Sequence, residues 1–210
     1  MKASDDPDVR CLSTRTVYEN PWMRLSEDEV ERRDGSTGLY GVVHAPDFVL
    51  VIPFDGKRYH LVEQFRYPVG ARLWEFPQGA VPGGHDLPPA DQARIELAEE
   101  TGLQAGSLRL LGYLHDAYGR CTTGFHAFLA TELEPGSAKR EPEEQDMRSA
   151  SFTARELWAL VDSGLLTDAA SLAAWALLHR PSDADVGHAG SLDSAHSIDG
   201  TETGARRHAR

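Results

Sequence analysis

The sequence predicts an α/β (α+β) fold in which a mixed β-sheet is sandwiched between helices, with an N-terminal antiparallel strand segment. Three observations predict it. Short β-branched and aromatic runs flank Asp-Gly pairs in the first part of the chain. An amphipathic stretch ending at a glycine follows them, and after further strand-like runs the pattern closes on two helix-like stretches. Strands, one helix, more strands and then two helices suit one layered domain rather than two.

In order, strands are predicted over Asp28 to Arg33 and Leu39 to His44, joined through Asp34-Gly35. A second pair, Phe48 to Pro53 and Tyr59 to Phe65, flanks Asp55-Gly56. Ser107 to His115, Gly124 to Thr131 and Met147 to Phe152 are the later strands. The first helix is predicted over Ala90 to Thr101, stopped by Gly102. Thr153 and Glu156 stand at capping-box spacing for a second helix ending near Gly164. The Ala/Leu-rich run Asp168 to His179 gives the third. Residues 12–180 are read as one domain. Residues 1–11 and the tail 181–210, which have few large apolar side chains to offset the entropy of ordering, are expected to be disordered.

Composition narrows the function. Hydrophobic residues are 40% and charged residues 26% of 210, a globular mixture. The net charge of −12 disfavours binding to nucleic acid, whose phosphates recruit Lys and Arg. No apolar run is long enough to cross a bilayer, so no membrane partner is expected. The polar start MKASDDPDVR lacks an apolar signal core, and Cys11 and Cys121 have no ligand spacing; a cytoplasmic protein with free thiols is the expectation.

The chemistry concentrates in the first helix. Glu96, Glu99 and Glu100 stand at i, i+3 and i+4, so one helix face carries three carboxylates. A hard divalent cation, Mg²⁺ or Mn²⁺, relieves their repulsion, and the Gly/Pro-rich segment before the helix lets backbone approach closely. The alternative is a solvated acidic face.

The run Glu96-Leu-Ala-Glu-Glu-Thr-Gly-Leu103 resembles the second half of the Nudix box, G-x5-E-x7-R-E-U-x-E-E-x-G-U. The lead-in Leu73-Trp-Glu-Phe-Pro-Gln-Gly79 and the upstream Glu63-Gln-Phe-Arg-Tyr-Pro68 resemble the corresponding strands of ADP-ribose and ADP-sugar pyrophosphatases. So does the ending, in which Glu143-Glu-Gln-Asp precedes a strand, a helix and Gly164-Leu-Leu-Thr-Asp-Ala169. The likeness runs from about Val17 to His179. It implies a Nudix fold and metal-dependent cleavage of the pyrophosphate of a nucleoside diphosphate linked to another group, with ADP-ribose or an ADP-sugar leading.

The box also departs from the pattern. Gly79 lies two residues further from Glu96 than the pattern allows, the first box glutamate has no clean match near His85, Asp86 or Leu87, and Ile95 stands where the box has arginine. In the family those two residues brace the loop and orient the glutamates. Arg94, paired with Asp86 or Asp91, is the candidate substitute brace. These losses keep a second class of function open, a catalytically weak Nudix-fold nucleotide-binding module.

By the resemblance, Glu96, Glu99, Glu100 and the Gln78 carbonyl are the metal ligands. The general base falls to Glu99 or to Glu143 and Glu144, for which a solvated acidic loop is the alternative. Arg66 is either a phosphate contact or an ion pair with Glu75 or Glu63. Trp74 is either a substrate contact that supports the nucleobase or core filling. Specificity residues are expected between Tyr118 and Phe125. Related pyrophosphatases exchange contacts through their N-terminal strands, which implies a homodimer through the segment around Val30 and Val42.

Overall fold

Asp34-Gly35 closes a hairpin because Gly35 takes φ +81°, open to glycine at no steric cost, while the Asp34 carboxylate accepts from the Ser36 N–H at 2.9 Å. In the computed structural model this hairpin joins β2 (Arg24–Arg32) to β3 (Thr37–His44). The structure describes residues 8–80, 87–138 and 146–180. The chain divides into two units, Met1–His179 and Arg180–Arg210, and all elements below belong to the first.

A strand absent from the sequence prediction, β1 (Val9–Glu19), pairs antiparallel with β2 and completes a three-stranded N-terminal sheet. This strand begins at Val9, within the segment 1–11. The cause of the miss is visible in the register, which is interrupted between Cys11 and Ser13 and between Thr16 and Tyr18. Those irregularities break the alternation by which a strand is recognised in sequence.

The next strands form two sheets. β5 (Tyr59–Arg66) lies between β10 (Arg148–Phe152) and β6 (Ala71–Glu75), all antiparallel. The other sheet is mixed: β7 (Gln78–Gly79), β4 (Phe48–Pro53), β9 (Gly124–Pro135) and β8 (Leu103–His115), in that order, with β4 parallel to β9.

β4 sets the layers. Val49 and Val51 pack on one side against Ala93 and Leu97 of α1 (Pro89–Thr101). Leu50 and Ile52 pack on the other with Leu61, with Leu157 of α2 (Ala154–Asp162) and with Ala174 and Trp175 of α3 (Ala169–Leu178). Alternation along one buried strand thus places helices on both faces, each full side-chain burial contributing roughly 1.5–3 kcal/mol. The predicted capping box is present: the Glu156 N–H donates to Thr153 Oγ1 and the Thr153 N–H donates to the Glu156 carboxylate. Gly102 ends α1 at φ +75°, and Asp168 caps α3 by accepting from the Ser171 N–H at 2.8 Å.

Candidate functional site

The site is built where β7 meets α1. This two-residue strand is held by β4, with Val49 opposite Gly79 and Leu50 opposite Gln78, and the preceding Pro77 carbonyl accepts from the Val51 N–H at 2.9 Å. On its other side, Gln92 Nε2 of α1 donates to the Gly79 carbonyl at 3.0 Å. A Cβ on Gly79 would overlap all three terminal atoms of the Glu96 carboxylate. The glycine is there because the carboxylate occupies the space a side chain would take.

α3 fixes the same strand from a third direction. The Phe76 N–H donates to Ser171 Oγ at 2.9 Å, and Gln78 Nε2 donates to Asp168 Oδ2 at 3.3 Å. An open cleft of about 330 Å³ forms here, lined by Phe48, Arg66, Gln78, Gly79, Asp116 and Asp168. A neighbouring hollow of about 520 Å³ shares Asp116 and Ala170 with it and is bounded by Tyr118, Arg120 and Phe125. The loop carrying Tyr118 is joined to the end of β3, since the Val43 N–H donates to the Arg120 carbonyl at 2.8 Å and the Thr122 N–H donates to the Val43 carbonyl at 3.0 Å.

Arg66 reaches the cleft from the end of β5. Its guanidinium grips the Glu75 carboxylate through two nitrogens, Nε at 3.0 Å and Nη2, and Gln64 Nε2 adds a third bond to Glu75 at 2.7 Å. The ion-pair reading of Arg66 therefore holds, with Glu75 as partner. The arginine side chain remains 40% exposed and lines the cleft, so the pairing does not remove it from the phosphate-contact reading. Burial works against the charge of Arg66, but bonds to Glu75 and its charge, then Asp168 and Glu100, raise its pKa above the ordinary value. Burial pushes the Glu75 carboxyl up, and the bonds and charge of Arg66 offset part of that.

The three helix glutamates are not equivalent. Glu100 is 1% exposed, so it is a buried carboxylate near Arg66 and not part of a solvated face. Glu96 is half-buried beside Gly79, and Glu99 is half-buried one turn on. A helix that buries Gln92 and Glu100 together with Ala93 and Leu97 is unusual for a helix chosen only for packing. Among the described residues, no three His, Cys, Asp or Glu side chains form a ready-made cage. A hard divalent cation is commonly held by one or two carboxylates together with substrate phosphates and water. The donor set fits such an ion: hard oxygens from Glu96 and Glu100 beside the close-packed Gln78–Gly79 backbone.

Trp74 carried two readings, substrate support and core filling. It stands on the face of β6 opposite Glu75 and packs edge-on against Phe152 at 4.9 Å, in the core and not among the cleft residues. Arg94 is a correction. It donates to the Ala105 carbonyl of β8 and so does not brace the loop through Asp91; Asp86 lies outside the described residues. Glu143 and Glu144 also lie outside them. Asp168, Gln92 and Asp116 were not singled out in the sequence. An Asp before an Ala-rich helix is a cap signal, but nothing in the sequence pointed it at a cleft.

Ile95 is 42% exposed, so a guanidinium placed there stays solvated and the penalty for an unpaired buried charge does not arise. Ile95→Arg is expected to leave the initial rate and the melting temperature near the parent's, within the ±0.5 kcal/mol or so typical of surface changes, about twofold in rate. A tenfold or greater rise in rate would show that the missing box arginine limits the enzyme.

Residues 44–175 match the family description NUDIX domain, and residues 9–43 match the description Nucleoside diphosphate sugar hydrolase N-terminal domain. The chain is 30% identical over 174 residues to an ADP-ribose pyrophosphatase of Mycobacterium tuberculosis, covering 82% of this chain and 84% of that protein. It is 28% identical over 162 residues to an ADP-ribose pyrophosphatase of Bacillus subtilis, covering 76% and 86% respectively. A crystal structure described as an ADP compounds hydrolase superposes with a TM-score of 0.73 at 18% identity, covering 84% of this chain and 95% of that one, a likeness of fold. These matches define a hydrolase of the Nudix class. The chain belongs to the Nudix family, and it is an enzyme similar to ADP-ribose pyrophosphatases.

Proposed function

We propose that this Nudix hydrolase cleaves the pyrophosphate of a nucleoside diphosphate linked to a second group, with ADP-ribose or an ADP-sugar as leading substrate and Mg²⁺ or Mn²⁺ as cofactor. The observation that carries it is the Glu96 carboxylate packed on Gly79 beside a cleft into which Arg66 reaches. Support for the substrate comes from the two ADP-ribose pyrophosphatases among its relatives.

When bound, the metal neutralises phosphate charge and acidifies a water. Glu96, Glu100 and the Gln78 carbonyl are the ligands in this reading, with Glu99 beside them as ligand or base. Arg66 orients the pyrophosphate: its guanidinium is held flat by Glu75, which lowers the entropy lost when it grips phosphate oxygens. Proton removal from the attacking water falls to Glu99, or to Glu143 or Glu144. Glu143 and Glu144 lie outside the described residues, and their assignment rests on the resemblance.

A panel of nucleoside diphosphate derivatives with Mg²⁺ and Mn²⁺, read by phosphate released after phosphatase treatment, tests the proposal. Release from ADP-ribose or an ADP-sugar that stops with chelator is the expected result. Tight nucleotide binding with no release would favour the binding-module reading instead.

We also propose a homodimer formed through the N-terminal sheet. Every residue of β1 is exposed, and Leu12, Val17, Tyr18, Leu39 and Tyr40 present apolar side chains to solvent. Light scattering at micromolar concentration should give twice the chain mass of 23.1 kDa; a monomer mass refutes it. The free thiols of Cys11 and Cys121 agree with a reducing compartment, and the cytoplasm is the proposed location.

A further inference from the structure

We infer that Gln92 is a positioning residue for the metal site, holding the Gln78–Gly79 strand against the catalytic helix in place of the absent box arginine; this rests on the metal reading above. Gln92 is 7% exposed, a depth at which an amide must find partners, and its Nε2 donates to the Gly79 carbonyl at 3.0 Å. It precedes Glu96 by one helical turn, so the two share a face of α1, offset by about 40°. That face meets β7 twice, through the Gln92 amide on the Gly79 carbonyl and through the Glu96 carboxylate in the space of a Gly79 Cβ.

The residues nearest the usual arginine position do not perform this task. Ile95 is exposed, and Arg94 is turned to the Ala105 carbonyl of β8. β4 holds one edge of β7 by backbone pairing, and the Gln78 side chain is tied to Asp168. The Gln92 bond ties α1 directly to the Gly79 carbonyl of this strand, on the helix face that also carries Glu96. A glutamine suits this better than an arginine because it joins helix to carbonyl without burying a charge.

Gln92→Met keeps the length and bulk of the side chain and removes the donor, and Gln92→Ala removes both. Mn²⁺ titration of the full chain by electron paramagnetic resonance, with melting in chelator, separates positioning from packing. Both variants are expected to bind Mn²⁺ about tenfold more weakly, with kcat down by a similar factor and KM for the nucleotide near the parent's. Gln92→Met should melt close to the parent. Parent-like Mn²⁺ affinity in both variants, whatever their melting temperatures, overturns the inference while leaving the metal reading intact. A parent that binds no Mn²⁺ overturns the metal reading and this inference with it.

Discussion

Glu100→Gln is expected to reduce turnover on the order of 10²–10³-fold, equivalent to about 3–4 kcal/mol of lost transition-state stabilisation, while the chain stays folded. The substitution is isosteric, so the buried space that the Glu100 side chain occupies remains filled. It removes a negative charge that is 1% exposed, in a helix carrying Glu96 and Glu99 within a turn. Relief of repulsion from Glu96 and Glu99 opposes the lost attraction between Glu100 and Arg66, so melting in chelator should stay close to the parent's. In Mg²⁺ or Mn²⁺ the two should separate: the parent gains stability from the ion and the variant gains less. The measurement is a pair of melting curves with and without metal, beside initial rates at saturating substrate. A variant that turns over like the parent removes Glu100 from the metal site.

The sequence carried the elements that obey a local rule. Asp34-Gly35 and Asp55-Gly56 marked turns, and Gly35 and Gly56 both adopt positive φ. Thr153 and Glu156 marked a capping box three residues wide, and Gly102 marked the end of α1. The acidic spacing on that helix was legible for the same reason. What failed needed tertiary information. β1 is exposed along its whole length and irregular twice, so neither burial nor period reveals it. The depth of Glu100 cannot be read from spacing, because three glutamates on one face look the same whether that face meets water or a sheet. Trp74 was ambiguous because its face of β6 is decided by pairing with β5, not by the tryptophan itself. Gln92 gave no signal at all. Its meaning lies in a carbonyl thirteen residues away, across a segment only partly described, and only the packing of α1 on β4 brings the two together.

Gly79→Ala should separate site from fold more sharply than any carboxylate change, with an expected loss on the order of 10²-fold in kcat and little loss of stability. Gly79 has no positive φ, so alanine is not strained by backbone conformation there. The new methyl would meet Glu96 Cδ, Oε1 and Oε2, the far end of a flexible side chain and not a backbone group. The fold can therefore relieve the overlap by turning the Glu96 carboxylate aside, at about the cost of a changed rotamer, roughly 0.5–1.5 kcal/mol. The chemistry has no such freedom, because a ligand moved by about 1 Å misplaces the ion and the phosphates it orients, and displacements of that size cost on the order of 10²-fold. Raising Mn²⁺ should recover part of the rate, since the ligand is displaced and not deleted, whereas Glu96→Gln should recover much less. Initial rates of both variants over a Mn²⁺ series, beside their melting temperatures, decide the matter. A Gly79→Ala enzyme with the parent's rate would mean that the Glu96 carboxylate does not work where it is packed. A variant that lost its fold as well as its rate would mean that the glycine serves the strand and not the site.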